Sequence, residues 1–248
     1  MNIKVITTWN NKLYKEYAYH FMKTYNWPFE LKIYNEDVDF FEKVPECKAF
    51  VERNKHKMKY TSYQESNDDY RKDGVRFCYK VYAYTHAIMN EEADGLFWAD
   101  SDSVFHKFID DKWIEEHIHR EDCMMTYVGR YTYLESGFLY FNLNHPSTIQ
   151  CAKEMQEMYN KDLIYEEEEQ HDAPIWDIIR KRFEDRGVKN YDIGDGGKGP
   201  AIERSILASV YYHGKGARKN QLGIVSKLAA KSTTAGKGRK GEYYKKLK

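Results

Sequence analysis

The alternation of apolar and polar positions changes period several times along the chain, and each change marks an element. Ile3-Lys4-Val5-Ile6-Thr7-Thr8-Trp9 is apolar and β-branched until Asn10-Asn11 stops it, which predicts a strand. Leu13 to Tyr25 carries helix-forming residues with aromatics at helical spacing. Trp27-Pro28 closes it, and Leu31-Lys32-Ile33-Tyr34 gives a second short strand. The opening is a β-α-β unit, for which parallel strands and a right-handed crossover are expected. Asp37 to Val51 predicts one or two short helices. Asn54 to Asp73 is polar, charged and Tyr-rich without a period, and reads as a long surface loop of the kind that often forms a lid.

From Val75 to Asn90 the period sharpens: Phe77, Val81, Tyr84 and Ile88 make one apolar face of a helix. Arg76 and Lys80 share another face, a pattern that solvated helices also show. The helix runs into Gly95-Leu96-Phe97-Trp98-Ala99, a buried strand that ends in Asp100-Ser101-Asp102. Beyond it, Lys107 to His119 predicts a helix and Cys123 to Val128 a strand. Glu135 and Gly137 lie in a polar turn that enters a buried strand through Asn142. Pro146-Ser147 starts a helix to about Tyr159 with Ser147 as its N-cap. Asp172, ahead of Pro174 and the apolar face of Ile175, Trp176, Ile179 and Phe183, is also placed as an N-cap. Glu166 to Glu169 reads as a solvated edge. Asp192 to Pro200 is glycine-rich without the spacing of a P-loop or a dinucleotide fingerprint. Ala201 to Tyr212 is a further helix or strand leading to His213-Gly214-Lys215-Gly216. The succession predicts an α/β protein, a Rossmann-like fold with a mostly parallel central sheet flanked by helices.

Composition narrows this little, except in two respects. At 248 residues and 42% hydrophobic content the chain can bury one large core. No stretch reaches the roughly eighteen apolar residues of a membrane span, and no secretory leader is expected at the start. Cys47, Cys78, Cys123 and Cys151 stand far apart without a C-x-x-C pair, so reduced core cysteines in a cytoplasmic protein are expected and zinc is not. The formal charge of zero hides an asymmetry. Residues 215 to 248 hold eleven Lys and Arg against the single acid Glu242, so an acidic body carries a basic tail.

The chemistry gathers at Asp100 and Asp102. Asp and Ser are ordinary turn residues, but two carboxylates this close at the rim of an α/β sheet repel each other unless a cation lies between them. A hard divalent ion with oxygen ligands suits the pair. Such an ion, with Lys and Arg donors, stabilises negative charge developing on a leaving diphosphate. A carboxylate beside the reacting carbon can take a proton from an acceptor hydroxyl or stabilise a cationic centre, and Asp172 and Glu135 are the candidate catalytic residues.

The ordered set resembles a family. The β-α-β opening, the helix with Arg76 and Lys80, the strand ending in Asp100-Ser101-Asp102, the segment Glu135-Ser136-Gly137-Phe138-Leu139-Tyr140-Phe141-Asn142 and the late His-Gly-Lys-Gly are together similar to GT-A glycosyltransferases. They are most similar to the glycogenin-like and lipopolysaccharide-galactosyltransferase group, family 8, and to small phage-encoded relatives. The resemblance covers roughly residues 1 to 220, and it leaves 221 to 248 as an appended basic tail, flexible or partly helical. It implies that Asp100, Asp102 and His213 ligate Mn²⁺ or Mg²⁺ on the diphosphate of a nucleotide-sugar donor. Lys215 or Lys219, in a turn with Gly216, would hold that diphosphate. Arg76, Lys80 and Ser101 would contact the nucleotide sugar, and Thr7, Thr8 and Trp9 the nucleoside. Where many relatives have Asn-Ala-Gly or Asn-Ser-Gly, this chain has Glu135-Ser136-Gly137. The phage resemblance and the basic tail point to a hydroxylated pyrimidine in DNA as acceptor, in a host cytoplasm, although a glycan, lipopolysaccharide or protein would serve the same chemistry. A metal-dependent nucleotidyltransferase and a non-catalytic nucleic-acid-binding protein are the alternatives from other classes.

Overall fold

The computed structural model describes residues 1–58, 68–214 and 216–232. Eight strands form two sheets: β1 (Ile3–Trp9), β2 (Glu30–Asn35), β3 (Gly95–Ala99), β4 (Ser103–Phe105), β5 (Cys123–Val128), β6 (Glu135–Asn142), β7 (Lys189–Asp192) and β8 (Tyr211–His213). Six of them make the central sheet in the order β2-β1-β3-β6-β5-β7. Only β6 runs against its neighbours, pairing antiparallel with both β3 and β5, while the β1–β2, β1–β3 and β5–β7 pairs are parallel. The connections explain the directions. Helices separate β1, β2 and β3 and carry the chain back across the sheet, whereas only Gly129 to Leu134 separates β5 from β6, enough for a reversal and too short for a crossover. The expected mostly parallel α/β architecture is therefore present.

Strand alternation divides the core between the two faces of the sheet. Leu96 and Trp98 of β3, with Leu139 and Phe141 of β6, face the helices Pro45–Asn54, Gly74–Asn90, Thr148–Asn160 and Asp172–Asp185. Phe97 and Ala99, with Phe138 and Tyr140, face the opposite layer, where Phe21, Trp27 and Phe105 pack edge to face. The strands read as near-continuous apolar runs because both faces are covered. All four cysteines are free and buried.

Several predicted elements differ in detail. The first helical stretch begins at Asn11, two residues early, because Asn10 Oδ1 accepts the Leu13 N–H at 2.9 Å and caps it. Tyr14–Ala18 is a π segment before the helix resumes at Tyr19–Thr24. Lys107 to His119 is helical only over Asp111–His117, where Asp110 caps the start. Ser147 precedes the helix Thr148–Asn160 but makes no side-chain cap; its neighbour Thr148 donates to the Asn142 carbonyl at 2.5 Å instead. Ala201 to Tyr212 resolves into two 3-10 turns and the start of β8. Most of the loop expected from Asn54 to Asp73 lies outside the described residues, and its described ends are short 3-10 turns.

A small second sheet closes over the carboxyl end of β3. After the Asp100–Asp102 turn the chain enters β4, which pairs antiparallel with β8 so that Ser103 stands opposite His213. The helix Leu222–Ser232 then packs Leu222 and Ala229 against Val104, with Tyr17 and Tyr212 at its edge. Among the described residues no helix is long and apolar enough to cross a membrane.

Candidate active site

At the carboxyl end of β3 three side chains converge. His213 Nε2 lies 3.3 Å from Asp100 Oδ2 and 3.1 Å from Asp102 Oδ1, and one ligand atom from each of the three falls within 4.8 Å of the others. The β4–β8 pairing brings a residue 111 positions downstream of Asp102 against it, an approach the hydrogen bond from Gly214 N to Asp102 O, 2.9 Å, reinforces. Gly137 makes room for the ring: a Cβ there would sit 2.4 Å from both His213 Cε1 and Nδ1. Tyr211 Oη donates to the Gly137 carbonyl at 2.9 Å and accepts from Ser103, which ties β6, β4 and β8 together behind the imidazole.

Two lysines neutralise the carboxylates. Lys219 Nζ is 2.6 Å from Asp102 Oδ2 and lies over the Tyr17 ring at 4.5 Å. That ring is presented by the π segment, the kind of helix irregularity often found at functional sites. Lys80 Nζ bridges Asp100 Oδ1 at 2.7 Å and Asp172 Oδ2 at 2.9 Å, and donates to the Ser136 carbonyl at 2.7 Å. Asp100 Oδ1 also accepts the Trp98 indole N–H at 2.8 Å.

The electrostatics follow from these distances. Burial alone would push Asp102 up, but Lys219 and His213 outweigh it and hold the carboxyl well below the usual range. Burial likewise opposes charge on His213, yet Asp102 and Asp100 raise it to about 10, so the imidazole is a cation while the carboxylates are its only partners. Lys80 is buried, and its ammonium is nevertheless held above its ordinary value by Asp100 and Asp172. Asp172, which burial would raise, is brought well below the carboxylate range by Lys80 and His171.

Glu135 and Asp172 are both buried but not placed as the sequence pattern predicts. Glu135 belongs to β6 and not to a turn; its Oε2 meets Arg130 at 3.3 Å, and its Oε1 accepts Gly137 N at 3.2 Å and lies 3.8 Å from His213 Nδ1. Asp172 is the first helical residue and not the cap, which is His171 by position, and it spends its charge on Lys80 instead of backbone N–H groups. Of the expected nucleoside contacts, Thr8 is at the sheet rim. Thr7 is fully buried, and the Trp9 indole packs on Tyr14 and Phe21 inside the core. Ser101 is half-buried in the turn between the two carboxylates. Arg76 lies one helical turn before Lys80, its guanidinium carbon 5.8 Å from the Phe77 ring centroid. Lys215 lies outside the described residues, and Gly216 opens the 3-10 turn that carries Lys219.

Spacing could have chosen between the lysines. His213, Gly216 and Lys219 stand in the order His-x-x-Gly-x-x-Lys. Ser136, Arg130 and His171 had no such signal, because they act through partners distant in sequence: Lys80, Glu135 and Asp172 with Glu169.

Two carboxylates and an imidazole in this arrangement are a donor set for a divalent ion, and mixed oxygen and nitrogen ligation suits Mn²⁺ somewhat better than Ca²⁺. Glu135 behind His213 Nδ1 supplies the outer carboxylate that orients metal-binding imidazoles.

No protein-family model matches the chain, and no curated protein matches it in sequence. Solved structures do match in the course of the chain. The galactosyltransferase LgtC, described in complex with donor and acceptor sugar analogs, is 10% identical with a TM-score of 0.49, over 93% of this chain and 96% of that one. A glycosyltransferase involved in glycosylation of the major capsid of PBCV-1 is 10% identical with a TM-score of 0.45, over 90% of this chain and 100% of that one. Mouse xyloside xylosyltransferase 1 is 10% identical with a TM-score of 0.45, over 78% and 86%.

Proposed function

We propose that this chain is a metal-dependent glycosyltransferase that moves a sugar from a nucleoside-diphosphate sugar to a hydroxyl acceptor. The observation that carries the reading is the convergence of Asp100, Asp102 and His213 at the carboxyl end of the central sheet, with the ammonium groups of Lys219 and Lys80 beside them. Mn²⁺ or Mg²⁺ held by the three would supply charge stabilisation to the departing diphosphate. Lys219 donates to the same diphosphate, and Lys80 is fixed by Asp100, Asp172 and Ser136 to meet the sugar side of it, with Arg76 and Ser101 adjacent in sequence to these groups. Glu135, between Arg130 and His213, keeps the imidazole turned with Nε2 towards the two aspartates. Asp172 is held too strongly ionised to be an efficient proton acceptor at neutral pH, so its role is to stabilise positive charge at the anomeric carbon and to orient Lys80. Residues 1–220 form the transferase unit in this reading, and 221–248 its basic appendage.

For the acceptor we infer a polyanion, most simply DNA bearing hydroxylated pyrimidines. The support is the charge of residues 215 to 248, since each phosphate contact adds salt-sensitive affinity independent of sequence. The four free cysteines support the cytoplasm as the place of action.

The donor reading is tested by thermal stabilisation with a panel of nucleotide sugars, with and without Mn²⁺, on the wild type and Asp102→Asn. A Mn²⁺-dependent shift with one donor, lost in the variant, is expected; no shift with any donor refutes it. The acceptor reading predicts that duplex DNA binding weakens as salt rises and is lost on deleting residues 227–248. Binding indifferent to both refutes the arm.

A further inference from the structure

The carboxyl ends of β1 and β2 hold a second polar group that the metal-binding cluster does not use. Thr8 Oγ1 donates to the Tyr34 carbonyl at 2.7 Å and is also 3.1 Å from Glu36 Oε1. Asn10 Nδ2 donates to Glu36 Oε2 at 3.0 Å, and this amide cannot turn over, because Asn10 Oδ1 is committed to the Leu13 N–H as the helix cap. The Glu36 backbone is fixed as well: its N–H donates to the Trp9 carbonyl at 3.0 Å, and the next residue is held by Asn35 Oδ1 on Asp37 N and by Asp37 Oδ2 on Asn11 N. A half-buried carboxyl has thus been built rigidly into the rim, with no basic partner within ion-pair distance among the described residues.

The hydrogens of this cluster can be accounted for. A hydroxyl has one hydrogen, and that of Thr8 goes to its shorter partner, the Tyr34 carbonyl, which can only accept. The contact between Thr8 Oγ1 and Glu36 Oε1 then takes its hydrogen from the Glu36 carboxyl. Burial, opposed by Thr8 and Asn10, pushes this carboxyl up to about 7, in keeping with an acid that holds its proton near neutrality. Asp37 beside it and Tyr79 and Cys78 on the facing helix Gly74–Asn90 add no positive charge. With its proton spent on Thr8, the carboxyl has only acceptor lone pairs left to offer outward.

Position says what could use them. β1 lies between β2 and β3, so Glu36 is two strands across from Asp100 along the same edge, roughly 10 Å at about 4.8 Å per strand. A nucleoside diphosphate whose phosphates sit at Asp100 and Asp102 and whose ribose crosses β1 brings its base over the end of β2. We propose that Glu36, fixed by Thr8 and Asn10, is a specificity-determining residue of the donor site that reads the base and selects a lactam nucleobase, uracil or guanine, over cytosine or adenine. Uracil and guanine offer a ring N–H to an acceptor. Cytosine and adenine put a ring nitrogen lone pair at that position, facing the lone pair of the carboxyl. This inference rests on the donor reading and names the base it takes.

The test is calorimetric titration of UDP, GDP, CDP and ADP in the presence of Mn²⁺ on the wild type, Glu36→Gln and Asp102→Asn. The wild type is expected to bind UDP or GDP at least about tenfold more tightly than CDP and ADP, the size of one well-placed hydrogen bond. Glu36→Gln, which preserves shape and puts an amide donor among the acceptors, is expected to remove most of that preference while still binding in a Mn²⁺-dependent way. Equal affinity for the four nucleotides, or an unchanged preference in Glu36→Gln, overturns the assignment of Glu36 and leaves the donor reading standing. No binding of any nucleotide by the wild type, or binding indifferent to Asp102→Asn, overturns the donor reading itself.

Discussion

Replacing Lys80 with Met removes the cation that holds two carboxylates together, and the consequence can be worked from the structure. Asp172, whose side chain is only 3% exposed, loses an ammonium at 2.9 Å; Asp100, at 23%, loses one at 2.7 Å but keeps water and His213. Removing one partner of a buried pair costs about 3–5 kcal/mol, most of it here from Asp172. For a chain of this length that lowers Tm by roughly 10 °C. The cost depends on pH. In the wild type Asp172 titrates below its unfolded value of about 3.9, so its contribution is complete above that value and disappears only as pH falls through the depressed one. In Lys80→Met burial is no longer outweighed and the folded carboxyl titrates above 3.9. The folded state then binds a proton that the unfolded chain has released, and stability falls as pH rises through that window. Urea denaturation should therefore show a larger loss at pH 8 than at pH 5. Lys80→Met/Asp172→Asn should recover a large part of it, because a buried amide needs no counter-ion. A loss that is equal at both pH values, or a double variant no more stable than the single one, would refute the buried bridge as the source of the effect.

Gly137→Ala should displace the His213 ring, given the 2.4 Å approach a methyl would make, and weaken Mn²⁺ affinity by about tenfold or more with the far-ultraviolet spectrum unchanged; unchanged affinity would show that the close packing does not position the imidazole. Because Asp102 and Asp100 raise His213 to about 10, an ion must displace its proton, so apparent Mn²⁺ affinity should rise by up to about tenfold per pH unit between pH 6 and 9, with proton release visible when the calorimetry is repeated in buffers of different ionisation enthalpy. A flat profile would contradict the imidazolium. Lys219→Met should weaken nucleoside-diphosphate binding about tenfold while leaving Mn²⁺ binding in the absence of nucleotide undiminished, since it removes a cation from Asp102 as well as a donor to phosphate. A fall in both affinities would make Lys219 a support of the metal site instead.

By itself the sequence determined the local framework. β1, β3 and β5 fall on the residues their apolar runs predict, and the helix over Gly74–Asn90 begins one residue before its period is first seen, because such runs answer to burial on both faces and to nearest-neighbour sterics. The Asp100-Ser101-Asp102 turn was legible for the same reason: two carboxylates at the end of a buried strand are a local pattern. Where local rules compete with distant partners, the pattern misleads. Asp172 looks like a cap by its neighbours, but Lys80, 92 positions upstream, takes its charge; Glu135 looks like a turn residue, but Arg130 and the pairing of β6 with β5 hold it in a strand. Thr7 and Trp9 lie at a rim by count and in the core by packing. Only the tertiary structure brought His213 to Asp102 through the β4–β8 pairing, and set Thr8, Asn10 and Glu36 in one cluster at the end of β1 and β2. The physical reason is one of range: propensity and periodicity act over a few residues, whereas the charges and hydrogen bonds of this site are satisfied across separations of about 25 to more than 100 residues, which folding alone brings within about 3 Å.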